Sequence, residues 1–139
     1  MALSDASAVE SPTKNGALTK TILVVEDNEL NMKLFNDLLS AHGYKVLKAF
    51  NGSAGLELTR QHRPDLIVMD VQLPGGISGL DVTRSLKEDD EFKAIPVIAV
   101  TAFAMKGDDK KILDAGCDAY MPKPISALRF LESIKGFLN

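Results

Sequence analysis

The chain has 139 residues, 45% hydrophobic and 25% charged, with a net charge of −3. That length and apolar content suit one globular domain with a true core, and the slight acidity excludes a broad basic face for non-specific nucleic-acid binding. One cysteine, Cys117, rules out an intrachain disulfide and suits a reducing cytoplasm, and no run approaches the ~18 consecutive apolar residues that span a bilayer.

The opening stretch, "MALSDASAVESPTKNGALTK", is rich in small and polar residues, lacks a sustained period, and has no signal-peptide core. Residues 1–19 therefore read as a flexible leader or added tail, and residues 20–139 as one domain. From Thr21 onward, apolar runs alternate with helical patterns. "TILVV" is a strand ending at Glu26 and Asp27. "NELNMKLFNDLLSAHG" puts Leu34, Phe35, Leu38 and Leu39 on one helical face, with Gly43 as a stop signal. "YKVLKAF" is a second strand, and "GSAGLELTRQHR" a helix closed by Pro64. "LIVMD" is a third strand and "GLDVTRSLKEDDEFK" the next helix, its charged end a solvated one. "IPVIAVTA" is a fourth strand, and "KGDDKKILDAG" a helix ending at Gly116. "DAYM" is a short fifth strand, and "SALRFLESIKGFLN" repeats Leu128, Leu131, Ile134 and Leu138 along one face.

Strands one, three and four are nearly continuous apolar runs, as parallel strands covered on both faces require. The expected fold is an α/β, doubly wound, five-stranded parallel sheet of order 2-1-3-4-5 with five helices. Its switch point lies between strands one and three, where ligands bind outside the carboxyl ends. That geometry gathers Glu26 and Asp27, Asp70, Thr101 with Ala102, and Lys123 at one end of the sheet.

Three close carboxylates repel, by about 4 kcal/mol per pair at ~4 Å and an effective dielectric of about 20. Either their pKa values rise or a cation sits among them. Mg2+ suits such a hard-oxygen site and leaves positions for water and phosphate. Acids, a metal, a hydroxyl and a lysine together suit phosphoryl transfer. Asp70 is then the nucleophile towards phosphorus, Lys123 the cation for the incoming oxygens, and Thr101 a hydroxyl donor.

The stretches "VVEDNELNMKLF", "LIVMDVQLP", "VTAFAMKGD" and "AYMPKPIS" resemble the bacterial response-regulator receiver domain, a CheY-like family, over about residues 21–139. "EDNELNMKLF" and "TAFAMKGD" are similar to its DivK group of single-domain cell-division regulators. The resemblance implies Asp70 as phosphoacceptor and metal ligand, Asp27 as a direct Mg2+ ligand, and Glu26 acting through water. It adds the backbone carbonyl of Gln72 to the metal site, Thr101 and Tyr120 as the switch pair, and a cis Lys123–Pro124 bond. The implied partners are a sensor histidine kinase or histidine phosphotransfer protein upstream, and kinases or phosphatases downstream. These would meet the face formed by the fourth helix, fifth strand and fifth helix, with no direct DNA binding, no membrane insertion and a cytoplasmic location. Such a protein is no enzyme beyond its own phosphorylation and dephosphorylation. One departure stands out. Gly79 lies nine positions after Asp70 where the family has a glycine at eight, so Gly75 and Gly76 are expected to absorb an extra residue.

Plainer readings exist for each residue. Asp70 alone would be a strand-end acid meeting water, Lys123 a surface lysine, and Tyr120 packing. Asn28 is a helix N-cap, Cys117 a small buried hydrophobe, and His42 and His62 stand alone at helix ends. A haloacid-dehalogenase-type phosphatase also uses a strand-end Asp with Mg2+, but Gln72 stands where its second Asp belongs. A flavodoxin-like nucleotide binder would need a Gly/Ser-rich loop where this chain has "EDNELN". A phosphorylation-independent interaction module is the remaining alternative.

Overall fold

Each apolar run becomes a strand of one parallel sheet. In the computed structural model, which describes residues 19–73, 75–102 and 108–138, the chain runs β1 (Thr21–Val25), α1 (Glu29–Ala41), β2 (Lys45–Ala49), α2 (Gly52–His62) and β3 (Leu66–Asp70). It continues through α3 (Gly79–Lys87), β4 (Val97–Thr101), α4 (Asp108–Asp114), β5 (Ala119–Pro122) and α5 (Ala127–Leu138). The strand order is β2-β1-β3-β4-β5, as expected. The expected leader falls outside the described residues except for Thr19, as do Pro74 and the first two residues expected of the fourth helix, Lys106 and Gly107.

Successive side chains of a strand point to opposite faces, and the core divides accordingly. Leu23, Val25, Ile67, Met69, Val97 and Ala99 pack with Val82, Leu86 and Ile112 from α3 and α4. Ile22, Val24, Leu66, Val68, Ile98 and Val100 pack with Met32, Phe35 and Leu39 from α1 and Phe130 and Ile134 from α5. Every inner-strand position after the half-buried Thr21 is therefore buried, which is why those strands show no alternation of polarity.

Two helical faces differ from expectation. On α1, Met32 joins Phe35 and Leu39 in the core, while Leu34 is 60% exposed. On α5, Phe130 and Ile134 are buried and Leu128 is 69% exposed. Both helices carry more apolar residues than one face can bury, and the arc that faces the sheet is set by packing. The Phe35 and Phe130 rings meet at 5.3 Å between centroids, tilted by 51°. Phe130→Ala, at the centre of this layer, is expected to cost about 3–5 kcal/mol of stability in urea denaturation.

The third helix stops at Lys87, before the charged run. Residues beyond it turn to bury Phe92, over which Arg63 stacks while pairing with Glu91. The run expected to be a solvated helix end is thus a turn anchored by an aromatic ring.

Candidate functional site

Strand register brings the polar residues together. Val25 lies opposite Met69, so Glu26 stands level with Asp70. Asp70 pairs with Val100, and Thr101 with Pro122, which sets Thr101 one step and Lys123 two steps further along the same edge. Face parity then sorts them. Ile22-Val24-Glu26, Leu66-Val68-Asp70 and Ala119-Met121-Lys123 continue the face covered by α1 and α5, whereas Thr101 follows Val97 and Ala99 towards the other.

One carboxylate oxygen from each of Glu26, Asp27 and Asp70 lies within 4.8 Å of the others. Glu26 and Asp70 are buried, and Asp27 is exposed at the rim. The Lys123 Nζ stands 3.0 Å from Glu26 Oε1 and 3.2 Å from Asp70 Oδ2, bridging the two buried acids. Only the Asp70 contact has hydrogen-bond geometry. Glu26 Oε1 is thus a buried oxygen held at ion-pair distance but without a hydrogen-bond donor. Its other oxygen accepts the Asn28 N–H at 3.1 Å, and Asp70 Oδ1 accepts the Gln72 N–H at 2.9 Å.

The electrostatics follow from this crowding. Burial pushes the Glu26 carboxyl above the usual carboxylate range, against the pull of the Asn28 N–H and Lys123, and the Asp70 charge adds to the rise. Burial acts to lower the Lys123 ammonium, but its contacts with Glu26 and Asp70 outweigh that and hold it above its ordinary value. Among the described residues the site carries three acids against one cation. This excess of acid and the all-carboxylate donor set fit a hard divalent cation.

The sequence-predicted residues are distributed as follows. Thr101 is buried at the end of β4, and its carbonyl accepts the Lys123 N–H at 2.7 Å. Tyr120 lies on β5, opposite Ala99, and is 38% exposed. The Lys123–Pro124 bond is cis. Asn28 caps α1 by accepting the Asn31 N–H at 2.9 Å. Cys117 is buried, and that burial raises its thiol pKa.

Sequence reasoning missed the part played by Gly79 beside the acceptor. Its N–H donates to the Val71 carbonyl at 3.1 Å, and a Cβ there would lie 2.0 Å from the Asp70 carbonyl oxygen. The signal was a glycine a few residues after the acid, which in sequence is no more than a count of residues. Upstream of it, Gly75 and Gly76 both adopt positive φ, +86° and +82°, with open space where a Cβ would stand.

Residues 22–135 match the family described as response regulator receiver domain. The chain belongs to that family. This decides between the readings the residues left open, in favour of a receiver over a dehalogenase-type phosphatase or a nucleotide binder. The receiver is 60% identical over 122 residues to the polar-differentiation response regulator DivK of Brucella anthropi, covering 88% of this chain and 98% of that one. Among solved structures, it is similar to a putative response regulator from Chloroflexus aurantiacus (TM-score 0.83, 26% identity, 87% of this chain and 98% of that one). It is also similar to the receiver domain of a Pseudomonas aeruginosa sensor histidine kinase (TM-score 0.79, 30% identity, 86% and 98%). That receiver holds a magnesium ion coordinated in its active-site cleft.

Proposed function

We propose that this receiver accepts a phosphoryl group on Asp70 from a sensor histidine kinase or a histidine phosphotransfer protein. The observation that carries the reading is the meeting of Glu26, Asp27 and Asp70 with one bridging ammonium, Lys123. An Asp70 oxygen attacks the phosphorus of a phosphohistidine, the O–P bond forming as the N–P bond breaks, and the departing imidazole takes up a proton. Lys123 exchanges its carboxylate contacts for the incoming phosphoryl oxygens, and the Thr101 hydroxyl donates to another.

Asp27, Asp70 and Glu26 would hold Mg2+, with the Gln72 backbone carbonyl completing the protein's share. When bound, the ion neutralises the acids and the phosphoryl oxygens. The magnesium in the related Pseudomonas receiver supports this assignment. The aspartyl phosphate carries roughly two negative charges. Thr101 moves towards it, and Tyr120, exposed before phosphorylation, turns into the vacated space.

Output then passes by protein contact from α4, β5 and α5 to downstream kinases or phosphatases. Exposed Leu113, Tyr120 and Phe137 on those elements support that face. The name of the Brucella relatives supports a role in cell-cycle and cell-division control. No described helix is long and apolar enough to cross a membrane, and the free thiol of Cys117 supports a cytoplasmic setting. Residues 20–139 form the functional receiver, and residues 1–19 are a leader or an added tail. Its chemistry is confined to its own phosphorylation and dephosphorylation.

The test is incubation with a small acyl-phosphate donor, with and without Mg2+, followed by intact-mass measurement. The expected result is one base-labile phosphoryl group, dependent on Mg2+ and absent from Asp70→Asn. No gain in the wild type under either condition would leave an interaction-only module.

A further inference from the structure

At the end of the sheet opposite Asp70, one side chain ties three segments together. The Lys87 Nζ, at the last residue of α3, donates to the Lys93 carbonyl at 3.1 Å, the Ile95 carbonyl at 2.8 Å and Asp118 Oδ2 at 2.9 Å. All three donors of the ammonium are thereby used. Asp118 in turn brackets the first residue of β4. Its Oδ2 accepts the Val97 N–H at 2.8 Å, and its own N–H donates to the Val97 carbonyl at 2.8 Å. The Lys87 side chain is only 17% exposed, so this is no ordinary surface pair of little worth.

The local sequence is shaped around this contact. Gly116 has φ +105°, and a Cβ there would lie 2.7 Å from Lys87 Cγ. A side chain at that position would push the lysine stem out of place. The phosphoryl-transfer reading uses none of these residues. Yet the two strands they pin, β4 and β5, are the ones that carry Thr101, Tyr120 and, one step on, Lys123. Thr101 stands roughly 13 Å along β4 from Val97, at about 3.3 Å per residue.

We propose that Lys87 is a positioning residue for the switch. By tying the amino ends of β4 and β5 to α3, it confines the response to Asp70 phosphorylation to the carboxyl ends of those strands. The inference rests on the phosphoryl-transfer reading for its second half only. The clamp itself acts in the unphosphorylated protein.

The test is residue-resolved amide hydrogen exchange, with intact mass, on wild type, Lys87→Met, Lys87→Arg and Gly116→Ala, with and without acyl phosphate and Mg2+. In Lys87→Met the Val97 and Asp118 amides are expected to exchange about tenfold faster or more, as local opening replaces the clamp. Lys87→Met still gains the phosphoryl group. Its phosphorylation-linked change in exchange, confined in wild type to residues 99–101 and 120–123, spreads to Val97 and Asp118. A clamp of purely structural value would loosen those amides without altering where the phosphorylation response is felt. Lys87→Arg restores the confined pattern, and Gly116→Ala, which keeps the charge but displaces the stem, copies Lys87→Met. An unchanged, confined response in phosphorylated Lys87→Met overturns the proposal, as does wild-type protection of Val97 and Asp118 in that variant. If wild type takes up no phosphoryl group, the function reading fails, and the clamp stands or falls on the unphosphorylated amides.

Discussion

Lys123→Met is expected to slow phosphorylation of Asp70 about 100-fold or more, the usual cost of removing one preorganised donor at a site of developing charge. The same change leaves Glu26 and Asp70, both buried, without the ammonium that now stands 3.0 and 3.2 Å away. Breaking a buried ion pair from one side costs about 3–5 kcal/mol. Because the Lys123 side chain is 21% exposed and water can reach its place, a loss near the lower end, about 3 kcal/mol, is expected. Mg2+ should recover more stability in the variant than in wild type, since an ion bound only by the folded state then relieves the greater repulsion. Urea denaturation with and without Mg2+ measures the second effect, and phosphorylation from an acyl-phosphate donor measures the first. A change in rate of less than about threefold would show that the ammonium contributes little to transfer.

Gly79→Ala should be the most damaging of the loop substitutions. Its Cβ would sit 2.0 Å from the Asp70 carbonyl oxygen and 3.0 Å from Met69 Cγ. The first contact is with main chain that is itself buried in the sheet, so the backbone at the phosphoacceptor must shift. A cost of about 3 kcal/mol or more is expected, in the range of severe overpacking, with phosphorylation impaired because Asp70 moves. Gly75→Ala and Gly76→Ala provide the contrast. Each has a positive φ but open space around it, so each should cost about 1–2 kcal/mol, the left-handed penalty for a residue with a Cβ. Phosphorylation should survive both. Denaturant midpoints and intact-mass kinetics on the three variants separate the two mechanisms. If Gly79→Ala were as mild as its neighbours, the close approach to Asp70 would not constrain the site.

These expectations draw on different layers of information. The strand order, the two covered faces and the convergence of Glu26, Asp27, Asp70, Thr101 and Lys123 were legible because continuous apolar runs alternating with helical periods admit few topologies. Asn28 and Gly43 were legible for local reasons, a cap and a stop. Leu34 and Leu128 were misplaced because both helices carry an apolar surplus, and periodicity says which residues share a face but not which face meets the sheet. Phe92 was hidden in a charged run because its burial depends on a turn that Arg63, far away in the chain, helps to hold through its ring contact and its pairing with Glu91.

By itself, then, the sequence determined the doubly wound fold and the identity of the acids, hydroxyl and lysine at the sheet's carboxyl edge. Only the tertiary structure decided that Lys123 bridges Glu26 and Asp70, that Glu26 keeps a buried oxygen without a hydrogen-bond donor, and that Gly79 presses against the acceptor's carbonyl while Gly75 and Gly76 turn in open space. It alone revealed the Lys87 clamp. The physical reason is one of range. Period and propensity act over a few residues, whereas strand register and crossover packing set which side chains meet across the sheet.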